Sequence, residues 1–92
     1  MKTFGEFIKT KREELRIPQR KIAAKLDIDT STLSKIERNE RRATSTMLNI
    51  ISTELNIELE TVEFEFLKDS INSDFNDLKF LKKNLTKIVS EL

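Results

Sequence analysis

One glycine, Gly5, and one proline, Pro18, are all the Gly and Pro that this 92-residue chain contains. A sheet protein of this size must reverse direction roughly every 8–12 residues, and usually spends Gly and Pro to do it. Helices need far fewer reversals. The apolar residues recur at three- and four-residue steps, and good helix formers such as Leu, Lys and Glu abound. The expectation is an all-α fold of five or six helices. The length suffices for one domain with a modest core.

Helix starts and stops can be read along the chain. Thr3-Phe4-Gly5-Glu6 has the form of a capping box, with Thr3 as N-cap and Glu6 reaching back. A first helix then runs to about Leu15, carrying Phe4, Phe7, Ile8 and Leu15. Pro18 ends that run and Gln19 opens a short second helix with Ile22, Ala23 and Leu26 inward. Asp29 caps a third, Thr30 to Arg38, whose inner positions are Leu33 and Ile36. Asn39, which tolerates a left-handed backbone, closes it. Arg41-Arg42-Ala43 forms a basic loop. Thr44 is expected to cap a fourth helix from Ser45 to Leu55, with a fifth over about Glu60 to Ile71. A last helix should run from about Asp74 to Glu91. The expected core includes Ile8, Ile22, Ala23, Leu26, Leu33, Ile36, Leu48, Ile51 and Leu55, and the fifth helix offers Val62, Phe66 and Leu67 as its apolar positions.

The inventory narrows the chemistry. The chain has neither histidine nor cysteine. Nucleophile–base pairs and most zinc or iron sites therefore lack their usual residues. Scattered carboxylates do not suggest a metal site, so no cofactor, no metal and no enzyme activity are expected. No apolar run is long enough to span a membrane, and Met1 to Gly5 lacks the apolar stretch of a signal peptide. A cytoplasmic protein is expected.

The net charge of +1 conceals a division. Residues 1–44 hold twelve Lys/Arg against seven Asp/Glu, whereas residues 45–92 hold five against nine. A basic half joined to an acidic half suits a molecule that offers one face to phosphate.

Two short helices separated by about three residues, the second polar outside, describe a helix-turn-helix. The stretch Gln19-Arg-Lys-Ile-Ala-Ala-Lys-Leu-Asp-Ile-Asp-Thr-Ser-Thr-Leu-Ser-Lys-Ile-Glu-Arg-Asn resembles the core of lambda-repressor-like (Xre/Cro-type) regulators. Ile22-Ala23, Leu33-Ser34 and Ile36-Glu37 fall at that family's offsets, and Phe4-Gly5, Ile8 and Arg12 match its first helix. The resemblance covers about residues 3–67. Four positions depart from the pattern: Arg16, Asp27 and Asn39 stand where the family has Gly, and Pro18 where it has a Ser N-cap. Asp27 and Asn39 accept a positive φ at modest cost, whereas Arg16 would be strained there.

The resemblance implies a largely buried salt bridge between Arg12 and Glu37. It implies base contacts in the major groove of double-stranded DNA from Thr30, Ser31 and Lys35, with Ser34 beside them, and a phosphate contact from Gln19. Lys35 could donate to guanine O6/N7, while the short hydroxyl side chains discriminate weakly. Arg38, Arg41 and Arg42 cluster after the recognition helix and are read as phosphate contacts, with Arg20 and Lys21 as further candidates.

Residues 1–70 are expected to form the DNA-binding domain and 71–92 an amphipathic helix. Leu78, Leu81, Leu85, Ile88 and Leu92 step as a heptad, and Ile71 and Phe75 extend it backwards. That helix either folds back on its own domain or packs against a second copy. The functional expectation is a sequence-specific regulator, a repressor or controller, bound as a homodimer to a near-palindromic operator. Small size without a ligand domain also resembles restriction–modification controllers. The alternative is an antitoxin- or anti-repressor-type interaction protein whose last helix binds a partner protein.

Overall fold

A computed structural model describes residues 2–92; Met1, which opens the expected first domain, lies outside them. Among the described residues there are six α-helices and no strand. They are α1 (Phe4–Glu14), α2 (Gln19–Leu26), α3 (Thr30–Glu37), α4 (Leu48–Leu55), α5 (Leu59–Phe75) and α6 (Leu81–Glu91), with a single 3-10 turn at Ser45–Met47. The all-α expectation is met.

The core gathers one face from each of the first five helices. Phe4, Ile8, Ile22, Ala23, Leu26, Leu33, Ile36, Leu48, Ile51, Leu55 and Val62 are buried and form one cluster. All nine expected core residues are in it. Phe4 and Val62, apolar positions of the first and fifth helices, join them, and Phe66 packs edge-on against Phe4 to hold α5 over the start of α1. Ala23 is small where α2 crosses α3. Each fully buried Ile or Leu contributes roughly 1.5–3 kcal/mol before chain entropy is subtracted.

Helices α1, α2, α3 and α4 end alike, in a Schellman closure around a left-handed residue that is not glycine. Arg16, Asp27, Asn39 and Asn56 have φ of 58°, 57°, 63° and 53°. In each case the next residue's N–H bonds five positions back: Ile17 to Arg12, Ile28 to Ala23, Glu40 to Lys35 and Ile57 to Ser52. Three of those four following residues are isoleucines that pack on the core, the apolar contact this motif favours. Asn and Asp hold αL cheaply. Arg16 has no such excuse and accepts strain to let the chain turn into Pro18.

Several expected boundaries shift. Thr44 does not cap a helix: its hydroxyl bonds that of Thr46, and residues 45–47 form the 3-10 turn instead. Helix α4 therefore starts at Leu48 instead of Ser45. Only the forward half of the capping box at α1 is made, from Glu6 N–H to Thr3 Oγ1 at 3.1 Å. The Phe4 N–H is taken by Asp69 of α5 at 3.2 Å. The last helix begins at Leu81 instead of Asp74, because Asn76-Asp77 favour a turn that Leu78 N–H to Phe75 O closes. The heptad stepping is thus divided between two helices, with Ile71 and Phe75 on α5 and Leu81, Leu85 and Ile88 on α6. Between them lies an open apolar groove of about 340 Å³, lined by Phe64, Leu67, Ile71, Leu81 and Leu85. No residue of α6 is buried.

Candidate nucleic-acid interface

What positions α3 lies behind it. Leu33 and Ile36 are completely or almost completely buried, and Glu37 beside them is only 2% exposed. The Glu37 carboxylate accepts from Arg12 Nε at 2.8 Å and Arg12 Nη2 at 3.0 Å. It also accepts from Gln19 Nε2 at 2.8 Å. Arg12 Nη1 donates onward to the Ile17 carbonyl at 2.9 Å. One buried carboxylate thereby ties α1, the start of α2 and the end of α3 together. The Glu37 hydrogen bond, opposed by burial and aided by the nearby charge, raises the Arg12 guanidinium above its ordinary pKa. Every buried side-chain nitrogen and oxygen among the described residues has a partner.

The front of α3 is left to solvent. Asp29 caps it, accepting from Thr32 N–H at 2.7 Å and from Ser31 Oγ at 3.0 Å. Those hydrogen bonds hold its carboxyl below the usual range, so the cap is ionised and intact at neutral pH. Thr30, Ser31 and Lys35 are exposed on this helix, and Ser34 is half-buried. Lys35 makes no ion pair among the described residues.

The expected phosphate contacts fall into two groups. Arg41 is exposed with no ion pair among the described residues. The other two arginines are held. Arg38 bonds Glu40 through Nε at 2.7 Å and donates to Ser34 Oγ at 2.7 Å. Arg42 is gripped by both carboxylate oxygens of Asp74, each at 2.8 Å. Gln19 is half-buried, and only one of its two amide hydrogens is needed by Glu37. Neither Glu40 nor Asp74 figured in the expected site. Glu40 is signalled by its place two residues after Arg38; nothing local in the sequence signals Asp74, 32 positions from Arg42.

Two short helices at a fixed angle, the second exposed along one side and bolted down along the other, define a helix-turn-helix module. The helix-turn-helix family model matches residues 8–62, more than half of the chain, and the chain belongs to this family, of the lambda-repressor (Xre) type. No curated protein and no solved structure matches. Membership makes the chain a DNA-binding transcriptional regulator. No described helix is long and apolar enough to cross a membrane.

Proposed function

We propose that the protein is a sequence-specific repressor or controller that binds a near-palindromic operator as a homodimer. Residues 1–70 form the DNA-binding unit and residues 71–92 the dimerising one. The reading rests above all on the two-faced character of α3. Its back is fixed by Leu33, Ile36 and Glu37, while Thr30, Ser31 and Lys35 stand exposed at the front. Such a helix, carrying hydroxyls and an unpaired cation, suits a major groove. Lys35 reads guanine, Thr30, Ser31 and Ser34 fill in around it, and Arg41 and Gln19 grip phosphates, joined by Arg38 and Arg42 where DNA draws them from Glu40 and Asp74.

Dimerisation is supported by the apolar surface beyond the family module. Phe64, Leu67, Phe75, Leu78, Phe80, Ile88 and Val89 are all exposed. Phe64 and Leu67 share one open apolar groove with Leu81 and Leu85, and an exposed apolar surface of this kind marks a partner-binding face.

The test is a salt titration of affinity on a duplex selected from a random pool and on unselected duplex. Lys35→Ala should cost roughly 1–3 kcal/mol on the selected site and much less elsewhere. Arg41→Ala should weaken both equally and flatten the salt slope by about 0.9. Equal losses on both duplexes for Lys35→Ala would remove it from the base-reading set. In sedimentation, Leu81→Asp with Leu85→Asp should convert a dimer to a folded monomer; a wild type that is monomeric at micromolar concentrations would refute the dimer.

A further inference from the structure

Arg42 and Arg41 are sequence neighbours in the loop that follows the recognition helix, yet their surroundings differ. Arg41 has no ion pair among the described residues, whereas Arg42 holds Asp74 in a two-pronged contact, Nη1 to Oδ2 and Nη2 to Oδ1, both at 2.8 Å. A guanidinium forked onto two carboxylate oxygens is also the geometry in which arginine takes two oxygens of a phosphate. Both side chains are about half exposed, at 56% and 45%, so a DNA strand can reach the pair.

Asp74 is not part of the helix-turn-helix module. The family match ends at residue 62, and α5 continues to Phe75. This extension delivers a carboxylate to the loop beside α3, where a regulator would be expected to collect positive charge. Asp74 lies beyond the part of α5 that serves the core, where Phe66 packs on the buried cluster and Asp69 accepts from the Phe4 N–H.

Resting on the DNA-binding reading above, we propose that Asp74 acts as a built-in competitor of DNA phosphate for Arg42, restraining a phosphate contact that the loop would otherwise make. Asp74 is a positioning residue: it touches Arg42, and its effect on DNA passes through that guanidinium. Wherever the DNA wins Arg42, the released Asp74 regains its counterion, which offsets part of the counterion release that drives binding. Where it does not, the contact is missing altogether. Both cases make the wild-type affinity lower and its salt dependence shallower than the number of loop arginines implies.

The full-length protein, with Asp74→Asn, Asp74→Glu, Arg42→Ala and the double variant Arg42→Ala/Asp74→Asn, is titrated with a random-sequence duplex at several salt concentrations. Circular dichroism confirms that each variant keeps its helices. Asp74→Asn should bind roughly two- to five-fold tighter at low salt, the range a surface pair of this kind supports. Its salt slope should steepen by up to about 0.9. Asp74→Glu, which keeps the carboxylate, should stay close to wild type. The deciding arm is the double variant: in the Arg42→Ala background, Asp74→Asn should change affinity little. An equal gain with and without Arg42 would mean that Asp74 merely repels DNA through its charge, and would overturn the proposal. Unchanged affinity and slope in Asp74→Asn would overturn it too. Asp77→Asn, which removes one charge from the neighbouring turn, should reproduce little of the effect. If neither wild type nor Asp74→Asn bound any duplex at low salt, the DNA-binding reading itself would fail, a result distinct from the others.

Discussion

Glu37→Ala should destabilise the protein by about 3–5 kcal/mol, a large part of what a domain of this size possesses. The side chain is 2% exposed and its two oxygens accept from Arg12 twice and from Gln19 once. Its removal leaves Arg12, only 8% exposed, with the Ile17 carbonyl as its one remaining hydrogen-bond acceptor among the described residues and the Glu13 charge nearby. The penalty is one of stranding, since an ion pair in the interior pays heavily in desolvation and earns little net stability. That distinction gives the experiment its second arm. Replacing both residues, Arg12→Met with Glu37→Met, removes the stranded charge and should recover part of the loss. Recovery should be incomplete, because the Ile17 carbonyl and one Gln19 amide hydrogen still lose their partners. Urea unfolding of wild type, single and double variants measures both quantities. A single variant within 1 kcal/mol of wild type would mean that water reaches Arg12 and that the network is not closed.

This same network marks how far the sequence alone could be taken. The Arg12–Glu37 pair, the inward positions of α2 and α3, and the left-handed Arg16, Asp27 and Asn39 all follow from short-range spacing or from family resemblance. Local signals of this kind survive because helix ends and ridge contacts are decided within a few residues. Asp69 capping α1 and Asp74 holding Arg42 could not be foreseen, because each joins α5 to residues 65 and 32 positions away. Gln19 combines the two cases: its place at the start of α2 was legible, whereas its bond to Glu37 depends on how α2 meets α3. The C-terminal heptad shows the opposite failure. The stepping from Ile71 to Leu92 is unbroken in sequence, but a pattern of apolar positions carries no information about a turn in its midst. Asn76-Asp77 supplied that information and weighed more than the period. At the interface, what sequence inspection could list was which cations are present; which of them are already paired is decided by tertiary contacts.

Gly5→Ala tests the contact on which the orientation of the recognition helix depends. In an ordinary helix interior this substitution would stabilise by about 1 kcal/mol, since alanine restricts the unfolded chain and favours the helix. Here the opposite sign is expected. Gly5 lies in the first turn of α1 and is buried against the last turn of α3. A Cβ placed on it would collide with the Ile36 carbonyl oxygen and come within 2.9 Å of the Glu37 carbonyl oxygen. Those are backbone atoms of a helix pinned by Leu33, Ile36 and the Glu37 network, so no side chain can swing aside. The two helices must separate, at a cost of about 1–3 kcal/mol or more for overpacking. Separation also tilts α3, and with it Lys35 and the arginine loop, away from the geometry set by Glu37. Thermal unfolding should therefore show a clear loss for Gly5→Ala, while Lys9→Ala, an exposed site on the same helix, stays near wild type. Affinity for the selected duplex should fall further than affinity for random duplex, because base contacts tolerate displacement less than phosphate contacts do. A Gly5→Ala protein as stable as wild type would show that α1 and α3 do not meet so closely.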